Sequence, residues 1–255
     1  MKKLLFIGDV VGKNGTDFVC SQIPVLRKKH GTDIVVVNAE NSAIGNGINK
    51  YSSSAILSAG ADVLTTGNHC FKWHDSHSIF EQDNIIRPAN YPSNCCGKGV
   101  CVLDLGFFSV AIVNLMGTLF MEAFDNPFYK IDELLSQIKT KNIFLDLHAE
   151  ATSEKKLMGH YLTGRVTAVL GTHTHVQTSD ELILGEHTAY ITDVGMTGGE
   201  LSVLGVNIDC ALTKMKEHMG VRFTESDAKP FLNAVVIEFD EKSGAALSIE
   251  RLIVR

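Results

Sequence analysis

Apolar runs in this chain end repeatedly on polar side chains. Leu4-Leu5-Phe6-Ile7 stops at Gly8-Asp9, Ile34-Val35-Val36-Val37 at Asn38-Ala39-Glu40-Asn41, and Asp62-Val63-Leu64 leads to Gly67-Asn68-His69. Further on, Ile143-Phe144-Leu145 gives way to Asp146-Leu147-His148, and Ala168-Val169-Leu170 to Gly171-Thr172-His173-Thr174-His175. Short apolar runs bounded by Gly, Asn and Asp predict buried strands. Helical spacing fills the intervals. Residues 16–30 form one segment, with Pro24 weighing against a continuous helix. Residues 51–59 form a second, with Ser near its start and Gly60 as its stop. Asn126-Pro127 opens a third with a cap and a first-turn proline, followed by the stripe Ile131, Leu134, Leu135 and Ile138. Ser153 is placed to cap residues 154–162, which Gly164 stops. Residues 207–219 carry Ile208, Ala211, Leu212 and Met215 on one face.

Strand, helix and strand alternate in the first half, which predicts parallel βαβ units. Residues 231–239 and 246–254, and residues 100–105 and 109–114, read instead as hairpins around short polar or Gly-containing turns. The expected architecture is α/β: two packed mixed β-sheets flanked by helices. No Pro/Ser/Gly-rich linker or charge block divides the chain, so residues 1–255 are expected to form a single domain. In open α/β sheets ligands bind beyond the carboxyl ends of the strands. Five strand ends could therefore present acid, amide and imidazole groups to one place.

Composition narrows the partners. The 255 residues are 45% hydrophobic with a net charge of −6. Arg27-Lys28-Lys29-His30 is the one tight basic cluster, and it ends a predicted helix, where cations suit the dipole. A duplex nucleic-acid partner is therefore not expected. No run approaches the ~20 apolar residues of a membrane span. The apolar stretch after Met1-Lys2-Lys3 breaks at Gly8-Asp9, too early for a signal peptide. A cytoplasmic protein is expected, with its six cysteines as free thiols. Cys95, Cys96 and Cys101 could bind zinc, but their spacing fits no pair of Cys-x-x-Cys knuckles.

The strand-end groups differ in weight. Asp9, before Gly12 and Gly15, reads on its own more readily as the cap of a strand-to-helix turn than as an anion-site neighbour. Glu40 could bridge two cations and the Asn41 amide oxygen could fill a further position; an Asx-turn in a solvated loop is the competing reading. Asn68 is an oxygen ligand candidate with His69 a proton donor beside it. In an extended strand Asp146, His148 and Glu150 would share a face. His148 could then bind metal while an acid orients its other nitrogen, or Glu150 could cap the next helix. His173 and His175, two apart on one strand end, could each reach one metal of a pair. Nitrogen and oxygen donors without thiolate fit Mn, Fe or Zn hydrolytic sites.

In this order the motifs resemble the calcineurin-like metallophosphoesterases, and more narrowly their bacterial YmdB-type branch. Supporting stretches are Arg87-Pro88-Ala89-Asn90-Tyr91-Pro92, the DLHAEATSEK segment from Asp146 to Lys155, and Asp193-Val194-Gly195-Met196-Thr197-Gly198. The wider superfamily has Asp-x-His in its first motif and a bridging Asp in its second; Val11 and Glu40 stand at those places. The branch resemblance implies that Asn41 replaces the missing His. One metal would be held by Asp9, Glu40, Asn41 and His175, the other by Glu40, Asn68, His148 and His173. The acid that often follows the third-motif His is absent, since Cys70 stands there, which leaves the partner of His69 open.

The resemblance implies a phosphodiesterase for small nucleotides, with 2′,3′-cyclic nucleotides as substrates and Fe or Mn as the metals. A hydroxide between the metals would attack phosphorus in line, His69 would protonate the leaving ribose oxygen, and Arg87 would clamp the phosphate. A phosphomonoesterase, a protein phosphatase and a regulatory nucleotide-binding protein are the alternatives. Residues 198–230 hold none of these groups and could form a lid or an oligomer contact; homo-oligomers are common.

Overall fold

A computed structural model of the chain describes residues 1–122 and 124–255. β1 (Lys2–Ile7) and β2 (Asp9–Val10) lead into α1 (Gly12–His30), followed by β3 (Ile34–Asn38), α2 (Lys50–Ser58), β4 (Val63–Thr65) and the single turn α3 (Ser76–Ile79). The middle runs through β5 (Val100–Asp104), β6 (Ser109–Met116), α4 (Pro127–Gln137), β7 (Asn142–His148), α5 (Thr152–Tyr161) and β8 (Ala168–Thr172). Then come β9 (Leu182–Leu184), β10 (Thr188–Ile191), β11 (Met196–Gly199), α6 (Ile208–Glu217), β12 (Pro230–Phe239) and β13 (Ala246–Val254).

Two sheets result. The first is ordered β2-β11-β12-β1-β3-β4, with β13 also paired to β12; the second is β5-β6-β7-β8-β10-β9. β1, β3 and β4 run parallel, as do β6, β7, β8 and β10. Both expected hairpins are present, β5 with β6 and β12 with β13.

The unbroken apolar runs have a plain cause. Along β1, Leu4 and Phe6 pack between the sheets against Ile112, Phe144 and Leu170, while Leu5 and Ile7 pack on the outer face against Val19 and Ile23 of α1. The second sheet does the same: Phe144 faces inward, and Leu145 and Leu147 face Met158 and Leu162. A parallel strand buried on both faces has no polar alternation until it ends.

Helix boundaries shift where a different group caps. α1 starts at Gly12 and runs through Pro24, which lies on the solvent side while Ile23 and Leu26 anchor the core side. α2 is capped by Asn49 in a reciprocal bond with Ser52. α4 begins as expected, with Asn126 accepting from Phe128 N. Ser153 does not cap α5; the helix starts at Thr152 with Ala151 before it and no side-chain cap. α6 is capped by Asn207, but of its expected buried face only Ala211 is buried; Ile208, Leu212 and Met215 are exposed.

Gly8 is the step that places Asp9. Ile7 still pairs with β12, whereas Asp9 pairs with Met196 of β11. A Cβ on Gly8 would collide with the Gly195 carbonyl, so only glycine lets the chain change partner there.

Candidate metal centre

All seven expected ligand residues converge at the carboxyl ends of β1, β3, β4, β7 and β8, where the two sheets meet. Asp9, Glu40 and His148 are fully buried and Asn41 nearly so. Around His148 Nε2 lie Asn68 Oδ1 at 3.1 Å, His173 Nδ1 at 3.1 Å and Glu40 Oε1 at 3.2 Å. A second group surrounds His175 Nε2: Asp9 Oδ1 lies at 3.8 Å, and the Asn41 amide nitrogen Nδ2 lies 3.3 Å away, placed to donate to the imidazole. Donors sharing one octahedral cation at ~2.1 Å stand about 3 to 4 Å apart, so the group around His148 suits a common ion and the Asp9–His175 pair suits another. Glu40, His148 and His173 also form the carboxylate–imidazole cluster with metal-ligand spacing found among the described residues.

The donors lack what a cation would supply. Asp9 Oδ1 and Glu40 Oε1 are buried without a hydrogen-bond donor in proper geometry, although two imidazole nitrogens approach Glu40 Oε1 at 2.9 and 3.2 Å. Burial pushes the Asp9 carboxyl up, partly offset by His175 and His148. Burial also works against the Glu40 carboxylate, yet His148 and His69 hold it well below its usual range. Burial opposes charge on His148, but Glu40 and Asp9 outweigh it and raise its pKa to about 9. His173, desolvated beside His148, falls to about 3. A pocket of carboxylates that must recruit a proton for charge balance suits a cation that displaces that proton. The residues therefore fit metal. Gly67 keeps the space open: a Cβ there would strike the Glu40 carboxylate and the His148 ring.

Outer partners fix which nitrogen faces the centre. His148 Nδ1 lies 2.9 Å from Thr172 Oγ1, and Thr172 donates to Asp146 Oδ1 at 2.7 Å. The hydroxyl proton is committed to Asp146, so Nδ1–H must donate, leaving Nε2 for metal. The expected acid thus orients His148 through a threonine rather than directly. Asp146, pushed up to about 6 by burial, also accepts from Asn38 Nδ2 at 2.9 Å and Thr65 Oγ1 at 2.5 Å, which ties β3 and β4 of one sheet to β7 and β8 of the other. Thr172→Val should weaken metal binding about 10- to 100-fold and destabilise the fold by about 1–3 kcal/mol through the loss of the donor to Asp146 Oδ1. Thr172→Ser should restore affinity, and metal titration of the three proteins checks this.

His173 and His175 depart from expectation. They are not on the strand but in the turn after β8, with positive φ of 99° and 64°. Such backbone costs about 1–3 kcal/mol per residue and needs support. Asp193 provides it, accepting from Thr174 N at 3.0 Å and Thr174 Oγ1 at 2.8 Å. Buried Lys155 pairs with the same Asp193 oxygen at 2.7 Å. Two of the sequence motifs thus serve to hold one turn. Lys155→Met strands a buried carboxylate and should lower unfolding stability by about 3–5 kcal/mol in denaturant titration.

His69 Nδ1 finds Glu40 Oε1 at 2.9 Å and Asn41 Oδ1 at 3.0 Å, partners that the sequence left open. Glu150 caps no helix; it pairs with His173 Nε2 at 3.2 Å. Arg87 is not at the site. It is buried and donates to the carbonyls of Pro88, Cys95 and Cys96 at 2.8–3.1 Å, bracing its own loop. The cations beside the centre are Lys72 and Arg222, which line a cavity of ≈ 670 Å³ together with His69, His173 and His175. Residues 204–206 and 222–225 line it as well. Among them, Leu204 O lies 3.0 Å from His175 Nδ1, turning Nε2 toward Asp9. Residues 198–230 showed no ligand-type signal, which is why the sequence did not place them here.

This two-sheet sandwich is the calcineurin-like phosphoesterase fold: the calcineurin-like phosphoesterase YfkN of Bacillus subtilis superposes with a TM-score of 0.57 over 99% of this chain and 90% of its own, at 11% identity. That likeness is one of fold. The chain itself belongs to the YmdB-like protein family, whose model matches residues 5–252. It is 42% identical to a Bacillus subtilis 2′,3′-cyclic-nucleotide 2′-phosphodiesterase, covering 99% of this chain and 97% of that protein. A phosphatase from Mycoplasma pneumoniae superposes with a TM-score of 0.94 at 32% identity, covering 99% of this chain and 93% of that one. The branch resemblance read from the motifs is thereby borne out. No helix among the described residues is long and apolar enough to cross a membrane.

Proposed function

We propose that the chain is a metal-dependent phosphodiesterase that opens 2′,3′-cyclic nucleotides at the 2′ bond and leaves the 3′-phosphate. The observation that carries this reading is the convergence of two groups, Glu40 with His148, Asn68 and His173, and Asp9 with His175, on a cavity that also holds His69. Asp9, Glu40, Asn41 and His175 would hold one cation, and Glu40, Asn68, His148 and His173 the other. The donor set is nitrogen and oxygen, which suits Fe or Mn, with Zn also compatible. When bound, the cations supply electrophilic stabilisation of the phosphate oxygens and acidify the attacking water.

The chain's own residues do the rest. With Nδ1 engaged by Glu40 and Asn41, Nε2 of His69 is the nitrogen that delivers a proton to the leaving 2′ oxygen. Glu40 and Asn41 fix the ring, so the proton stays aimed at one atom. A cavity of ≈ 670 Å³ is the size of a small-ligand pocket, which favours a nucleotide over a protein substrate. The relative's activity supports the substrate class.

The test is anaerobic purification, elemental analysis and a phosphoester panel. Metal-loaded protein should convert 2′,3′-cyclic nucleotides to 3′-monophosphates and leave monoesters largely intact. Nucleotide binding without product would instead make the chain a regulatory binder.

A further inference from the structure

Two aromatic rings border the cavity, and nothing assigned so far uses them. Trp73 and Phe223 line the same space as His69 and His173, yet they remain 38% and 47% exposed. Large aromatic surface left open beside a reactive centre commonly marks a ligand face. Each ring is adjacent in sequence to a cavity cation, Lys72 beside Trp73 and Arg222 beside Phe223.

Both rings are fixed to the frame that holds the metal donors. Trp73 Nε1 donates to Asn46 O at 2.8 Å, and Lys72 N bonds to His69 O at 3.0 Å in the turn that joins Trp73 to His69. The indole also abuts Gly47, where a Cβ would press on the ring. Phe223 sits at the end of a short ribbon formed by Asn207 N to Thr224 O at 2.9 Å and Ser226 N to Gly205 O at 2.8 Å. Glu225 anchors that ribbon: its carboxylate accepts from Lys13 N at 3.0 Å, at the start of α1, and from Gly45 N at 3.1 Å. The Glu225 carboxylate thus occupies the helix terminus that could otherwise attract an anion. Substrate phosphate is left to the metal side of the cavity, whose lining also carries the two rings.

Resting on the phosphodiesterase reading, we infer that Trp73 and Phe223 are the base-recognition residues, stacking on the nucleobase while the cyclic phosphate lies at the His69 end. Stacking is tolerant of base identity, because every base has a π-face. The site therefore selects nucleosides from base-free phosphodiesters without selecting strongly among bases. Lys72 and Arg222 neutralise the charge gained when the cyclic diester becomes a 3′-monophosphate.

The experiment compares 2′,3′-cyclic AMP with methyl riboside 2′,3′-cyclic phosphate, which has no base, on wild type, Trp73→Ala, Trp73→Phe and Phe223→Ala. Each alanine variant should raise KM for the nucleotide roughly ten- to a hundred-fold, with kcat nearly unchanged and the base-free substrate unaffected. Trp73→Phe should recover most of the loss. Trp73 is the one tryptophan in the chain, so adenosine 3′-monophosphate should quench the fluorescence of the metal-loaded protein, and Phe223→Ala should shift that titration to higher concentration. An equal loss on both substrates, or unchanged KM together with absent quenching, overturns the base site. Quenching by nucleotide with no turnover in wild type would keep the base site and overturn the phosphodiesterase reading instead.

Discussion

A Glu40→Ala protein should purify folded, carry almost no metal and lose turnover by ~10³-fold or more, since cations contribute several kcal/mol of transition-state stabilisation. In the proposed assignment Glu40 would belong to both donor groups; one of its oxygens lies 3.2 Å from His148 Nε2, and the other accepts from His69 N at 3.3 Å. Its loss takes one donor from each group at once. The fold should persist, because Glu40 lies outside the apolar clusters that hold the two sheets together. Removing Glu40 from the metal-free protein takes away the carboxylate that pairs with His148 and His69, so the buried His148 ring loses its main counter-charge. Melting curves of the two metal-free proteins should show the variant at lower Tm, because a carboxylate held below its usual range by imidazole partners contributes stability near neutral pH. Added metal should then raise the wild-type Tm alone, since binding stabilises only the protein that binds. Wild-type metal content or activity in Glu40→Ala would sink the assignment of both metal positions.

The parts of this site that could be read in the sequence share one physical cause. Central parallel strands are buried on both faces, so their apolar runs are continuous and their ends are abrupt. Asp9, Glu40, Asn68 and His173 stand just beyond such ends, and His148 is the last residue of β7. What the sequence hid was tertiary. His173 and His175 look like strand positions, but the chain has already turned, and the left-handed backbone is held by Asp193 and Lys155 from distant elements. The hydroxyl of Thr172 between His148 and Asp146 is invisible to any alternation rule. Arg87 was attractive for its charge, yet three carbonyls of its own loop consume its donors. The short strands β9, β10 and β11 escaped notice because runs of three or four residues carry too little periodicity. The wall that holds Arg222 and Phe223 is fixed by backbone bonds and by Glu225, and these leave no pattern in residue type.

His69→Ala should separate chemistry from metal binding. Its side chain is 32% exposed on the cavity wall, and it is not among the residues assigned to hold a cation. The variant should therefore keep wild-type metal content and lose turnover by about 10²–10⁴-fold, the range for a positioned general acid. KM for 2′,3′-cyclic AMP should change little, because a group that acts on the leaving oxygen works in the transition state rather than on the bound substrate. A sharper comparison varies the leaving group. A ribose alkoxide needs a proton as it departs, whereas p-nitrophenolate does not. On bis(p-nitrophenyl) phosphate the defect of His69→Ala should shrink to a few-fold if His69 is the acid. If it were instead an electrostatic prop for Glu40 and Asn41, both substrates would suffer alike and metal affinity would fall with them. An equal defect on the two substrates, at full metal occupancy, would remove His69 from the proton transfer and leave it a stabiliser of phosphate charge.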